Sequence, residues 1–238
     1  MAWLSSPQGA IRAVFISQMV LSAAIIALDL RGSPGNAAPG LFAPPAQGPS
    51  VRPYRPDLRP AAPGAPAMRP MPEKLEFASA DGAIRITGQI APGDADRFAG
   101  WLDQQRPPET LVTLDSSGGS VSDALAIGRT IRAAGFSTEV ADGAVCLSAC
   151  PYILAGGSER SVAAGGVVGV HQHYFGENTI LPAFMAVKDV QRGQASVMDY
   201  LTEMGVDLRL MSHALRTPPE EINILDPALM EELRLVSP

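Results

Sequence analysis

The 238-residue sequence predicts an α/β fold, on three observations. Short β-branched runs alternate with segments of helical period, glycine and proline separate the two kinds, and the alternation starts only near Leu75. Strands interleaved with helices return to one sheet through crossovers, which favours parallel pairing with right-handed connections.

Taken in order, Ala83 to Gln89 (AIRITGQ) alternates apolar and polar residues as a strand does. Ala95 to Gln105 predicts a helix, with Phe98, Trp101 and Leu102 on one face. Thr110 to Leu114 is a short β-branched strand that runs into the turn Asp115–Gly119. Val121 to Ala134 carries Val121, Leu125, Ile127 and Ile131 on a helical stripe, and Gly135 suits its C-terminal stop. Phe136 to Val140 and Val167 to His171 are further strands, and Val145 to Leu154 opens with small residues before turning apolar. From Leu181 the pattern is helical to Met204, broken at Gly193 and stopped at Gly205. A last helix, Leu208 to Leu215, ends before Thr217-Pro218-Pro219.

The chain upstream of this pattern has a different character. Twelve of the 22 prolines lie between Ser33 and Pro72, a density that forbids a regular helix or a central strand. Residues 33–72 therefore predict a disordered linker, residues 73–238 the folded domain, and residues 1–32 a separate leader. Ala13 to Leu28 is 16 residues without a charge, after Arg12. That length lies between a signal-peptide core and a full membrane span. Both an uncleaved anchor and a signal peptide cut after Gly35-Asn36-Ala37 remain open. Either one places the domain outside the cytoplasm, in the periplasm or on the outer side of an inner membrane.

Charge excludes one class of partner. Residues 73–238 carry 12 basic and 22 acidic side chains, a net of −10. Nucleic-acid binding needs a basic face, so none is expected.

Three segments carry chemistry. Asp115-Ser-Ser-Gly-Gly-Ser-Val121 joins a strand to a helix, where paired glycines let main-chain N–H groups turn toward a negative oxygen. Gly143-Ala-Val-Cys-Leu-Ser-Ala-Cys-Pro-Tyr152 places Ser148 before an apolar helix, and Val168-Gly-Val-His171 ends a strand on an imidazole. Singly, each has an ordinary structural reading as a turn, a helix cap or a rim histidine.

Together and in this order they resemble the proteolytic subunit of the Clp protease and its crotonase-fold relatives. The shared features are Ser116-Ser117-Gly118-Gly119-Ser120-Val121, then Ser148 followed by Ala-Cys-Pro-Tyr-Ile-Leu-Ala-Gly-Gly157, then Val170-His171-Gln172. The resemblance covers Leu111 to Gln172 well and the C-terminal part loosely. It is nearest to an exported branch in which two cysteines flank the serine. The resemblance implies a superhelix of repeated ββα units and assembly into homo-oligomers through helical faces. It also implies a serine hydrolase acting on a peptide or other acyl bond. Ser148 would be the nucleophile and His171 its base, with the main-chain N–H groups of Gly119 and Ala149 as oxyanion hole. No cofactor or metal is implied. The family's aspartate has no clear counterpart: Ile222 or Asn223 stands where it should, with Glu220, Glu221 and Asp226 nearby. The competing reading is a catalytically silent crotonase-fold module that binds a partner in the cell envelope. An acyl-CoA hydratase or isomerase is weaker, because no glutamate pair accompanies the glycine loop.

Cys146 and Cys150 are the only cysteines and bracket Ser148. Outside the cytoplasm an even count suggests a disulfide, which would fix the backbone under Ser148; two buried thiols are the alternative. They are too few for a zinc site, and a His171–His173 metal pair lacks a third ligand at convincing spacing.

Overall fold

A computed structural model describes residues 7–31, 51–53, 70–173 and 183–237. The chain divides into two units, Met1–Pro45 and Ala46–Pro238.

In the first unit, α1 (Pro7–Arg31) covers the apolar run 13–28. Among the described residues no helix is long and apolar enough to cross a membrane. The anchor reading therefore rests on sequence alone. Most of the predicted linker lies outside the described residues. One part of it does not behave as a linker: β1 (Val51–Pro53) pairs antiparallel with β9 (Glu221–Ile224). An outermost strand is where proline's missing N–H is tolerated.

The second unit is α/β, with a mixed sheet in the order β1-β9-β8-β6-β4-β3-β2. The strands are β2 (Glu76–Ala80), β3 (Ala83–Ile90), β4 (Leu111–Gly119), β5 (Ser137–Val140), β6 (Val145–Leu147), β7 (Arg160–Val162) and β8 (Val167–Val170). The expected parallel pairing holds in the interior, where β3, β4, β6 and β8 run side by side in one direction. At the edges β2 and β9 pair antiparallel. Strand β4 belongs to two ladders. Its start, Leu111 to Thr113, pairs with β5, whereas Ser116 farther on pairs with Cys146 of β6. The predicted turn Asp115–Gly119 is thus a continuation of β4, because these residues still find partners on both sides.

The helices are α2 (Asp94–Gln105), α3 (Val121–Ala133), α4 (Cys150–Ala155), α5 (Ala183–Glu203), α6 (Arg209–Leu215) and α7 (Pro227–Glu232). Helix α5 runs through Gly193 unbroken and stops at Gly205, whose φ of 73° lets the Val206 N–H reach back to the Leu201 carbonyl.

The alternation read in β3 is the observed one: Ile84, Ile86 and Ile90 are buried and Arg85 is exposed. These side chains meet Phe98 of α2, Val112 and Leu114 of β4, and Ile127 and Ile131 of α3 in the core. Each such side chain contributes about 1.5–3 kcal/mol on burial.

Two buried carboxylates fix the strand-to-helix turns. Asp94 accepts from the Leu75 and Ala91 N–H groups at 2.9 and 2.8 Å and is paired with Arg97. Asp123 accepts from the Gly93 and Ala95 N–H groups, both at 3.0 Å, tying α3 to α2. Burial opposes the charge on Asp123, but the Ser120 hydroxyl and these amides outweigh it and hold its pKa below the usual value.

Helix α4 is placed by close approach and by charge. A side chain at Gly156 would sit 2.4 Å from the Gly128 carbonyl of α3, so only glycine allows this crossing. Arg132 donates to the carbonyls of Ala155, Gly156 and Gly157, and Arg160 to those of Ala155 and Gly157, at 2.7 to 3.4 Å. Two guanidiniums at a helix C-terminus satisfy carbonyls that have no intrahelical partner.

Candidate active site

Ser148 stands in the single residue step between β6 and Ala149, which caps α4. Its φ is +61°, a left-handed conformation that costs a non-glycine residue about 1–3 kcal/mol and persists only where the surroundings impose it. Three constraints impose it here. The Ser148 N–H donates to the Gly169 carbonyl of β8 at 2.9 Å. The Val145 N–H at the start of β6 donates to the Asp115 carboxylate at 3.0 Å. Cys146 and Cys150 are joined as a disulfide, with Cα atoms 5.0 Å apart, and both are fully buried. The bridge expected from cysteine count is therefore present and spans the serine.

His171 follows β8, which is the parallel neighbour of β6. This pairing brings together two side chains 23 residues apart: His171 Nε2 lies 2.6 Å from Ser148 Oγ. Ser148 is half-buried and His171 almost fully buried. Burial lowers the His171 pKa from its ordinary value; the main chain at Pro219 and Pro218 and the charge of Glu220 act the other way.

The glycine loop reaches the same place. Gly118 and Gly119 have φ of 95° and 140°. A side chain at Gly118 would lie 2.5 Å from both the Leu147 carbonyl and Ser148 Cβ, and 3.0 Å from the Ala149 nitrogen. Gly118 is thus the glycine in contact with Ser148. Gly119 packs against Ile90 of β3, where a side chain would meet the Ile90 carbonyl at 2.2 Å. Both glycines stay in register with β3, Gly118 opposite Gln89 and Gly119 opposite Ile90.

The four candidates for a third residue are placed differently. Asp226 caps α7, accepting from the Leu229 N–H at 2.8 Å. Asn223 sits opposite Val170 in the β8–β9 ladder, and Glu221 opposite Pro53 in the β1–β9 ladder. Glu220 is exposed and acts on His171 only through its charge.

His173, two residues past His171, is turned to another partner. Its Nε2 is 2.8 Å from the Tyr152 hydroxyl of α4, and that hydroxyl lies 3.8 Å from Met211 Sδ. Burial, aided by the nearby His171, lowers its pKa to about 4. Among the described residues no group of three or more His, Cys, Asp or Glu is arranged to hold a metal. Compared with protein-family models and with curated proteins, the chain matches none.

Proposed function

We propose that the second unit is a serine hydrolase cleaving a peptide or another acyl bond. The observation that carries this reading is the 2.6 Å contact between Ser148 Oγ and His171 Nε2, made by a serine held at positive φ beside a glycine loop. A serine hydroxyl is a weak nucleophile until a neighbouring base takes its proton, and an imidazole kept neutral by burial is such a base.

Ser148 Oγ attacks the acyl carbon as its proton passes to His171 Nε2. The tetrahedral intermediate expels its leaving group, which takes the proton from His171. A water molecule, deprotonated by the same ring, then attacks the acyl-enzyme and releases Ser148 with its proton restored. The developing oxyanion would be met by the main-chain N–H of Ala149 together with one from the Gly118–Gly119 loop, Gly119 in the resembling family. Such donors often contribute 10²–10³ in rate.

The reading extends to a domain exported from the cytoplasm, consistent with a disulfide as the state of both cysteines. Association into homo-oligomers belongs to the same proposal. The test is turnover of an activated acyl ester by the full-length protein: release of the alcohol with a burst that Ser148→Ala abolishes supports a hydrolase. No turnover by folded protein of esters or of a peptide library would favour the silent binding module instead.

A further inference from the structure

We infer that Tyr152 and His173 are a positioning pair for Ser148 and His171: their hydrogen bond fixes how closely the chain carrying His171 approaches the chain carrying Ser148. The inference deepens the hydrolase reading and rests on it.

Two side-chain contacts join the same two segments. Ser148 and Tyr152 belong to the β6–α4 step and to α4, and His171 and His173 to the chain just past β8. His171 Nε2 is 2.6 Å from Ser148 Oγ, and His173 Nε2 is 2.8 Å from the Tyr152 hydroxyl. The sheet itself does not reach this far. The β6–β8 ladder runs to Leu147 opposite Gly169, with the Ser148 N–H on the Gly169 carbonyl, and β8 ends at Val170. Beyond that point the Tyr152–His173 bond continues the link toward α4. Gln172, between the two histidines, ties the same stretch elsewhere: its N–H donates to the Thr217 carbonyl at 2.9 Å and its side-chain amide to the Leu215 carbonyl at 2.7 Å.

Tyr152 is a fixed post. Its side chain is buried in the core, and its carbonyl accepts from the Tyr200 hydroxyl of α5 at 2.6 Å. Gly128 of α3 leaves room for that bond, since a side chain there would overlap the Tyr200 hydroxyl. The Tyr152 hydroxyl lies between His173 Nε2 and Met211 Sδ of α6, the sulfur at 3.8 Å. A thioether is a weak acceptor and a neutral imidazole nitrogen a good one, so the hydroxyl donates to Nε2 and His173 carries its proton on Nδ1. Burial keeps this ring neutral, so it sets no charge beside His171, which takes one up when it accepts the serine proton. Reactions of this kind tolerate little misplacement: a shift of about 1 Å costs about 10²-fold in rate.

The test measures how fast a fluorophosphonate labels Ser148 in the full-length chain as its concentration is raised, which separates the maximal rate from the half-saturating concentration. Tyr152→Phe keeps the buried ring and removes the hydroxyl. It is expected to lower the maximal rate about tenfold or more and to leave the half-saturating concentration within about twofold. His173→Ala is expected to do the same, and the double variant to fall no further than either single change, because both remove one bond. His173→Gln keeps an acceptor at similar reach and is expected to recover most of the rate lost in His173→Ala. A pair that only stabilises the fold would leave labelling of the folded variants unchanged, so Tyr152→Phe or His173→Ala labelling as fast as wild type would overturn the inference. Losses that multiply in the double variant, or a His173→Gln no better than His173→Ala, would overturn it too. Should Tyr152→Phe not fold, the comparison of His173→Ala with His173→Gln decides. Folded wild-type protein that takes up no label would sink the hydrolase reading itself, and the positioning role with it.

Discussion

Gly118 and Ser148 approach so closely that no atom fits between them: a methyl group on Gly118 would lie 2.5 Å from Ser148 Cβ. Strand β4 and the β6–α4 step are therefore packed backbone to backbone at Ser148. Gly118→Ala should cost about 2–4 kcal/mol, from added bulk and from a φ of 95° that alanine resists. Because the clash falls on Ser148 itself, activity should drop by at least about 100-fold in protein that is still folded at low temperature. Urea denaturation and acylation rates on the same sample check both.

The disulfide should act on the site more than on global stability. Its loop encloses only Leu147, Ser148 and Ala149, so the gain from restricting the unfolded chain is small. Cys146→Ala with Cys150→Ala should lower kcat about tenfold or more with little change in KM, as expected when a reacting group loses its orientation. An unchanged kcat would show that the hydrogen bond to Gly169 and the Gly118 contact hold Ser148 without the bridge.

The low pKa of His171 predicts the pH profile. The base must be neutral, and burial moves its titration below the usual 6.5. The acidic limb of kcat/KM should therefore have an apparent pKa below 6.5, with the rate retained in mild acid. A limb at or above 7 would contradict the burial argument.

His173 predicts acid sensitivity of the fold. Its pKa is about 4 in the folded protein against 6.5 when free. Above pH 6.5 neither state binds the proton and stability is at its full value. As pH falls from 6.5 toward 4 the unfolded chain takes up the proton first, so stability falls across that window and the loss from this group is complete below it. His173→Gln should flatten that part of a plot of unfolding free energy against pH. Tyr152→Phe, which removes the hydroxyl beside His173 Nε2, should cost about 1–2 kcal/mol at neutral pH.

Much of this arrangement was legible in the chain, for identifiable reasons. Period and punctuation located β3, α2, α3 and β8, because Ile84, Ile86, Phe98, Ile127 and Val170 each face a core and are spaced accordingly. The pair Ser148 and His171 was legible only as three motifs in order; no local pattern states that β6 and β8 are neighbours. Short elements escaped. β7 and β9 are three and four residues long, too short for a period to register, and α7 hides in Pro227–Glu232 behind an Asp226 that reads equally as an acid or as a cap.

The central claim is that Ser148 is a nucleophile activated by His171, and covalent labelling tests it most directly. Full-length protein treated with a fluorophosphonate, alongside Ser148→Ala and His171→Ala, is digested and read by mass spectrometry. The account predicts one adduct, on Ser148, formed at a rate that falls at least about 1,000-fold in His171→Ala. Folded, disulfide-bonded protein that takes up no label, or labels equally fast without His171, would contradict it.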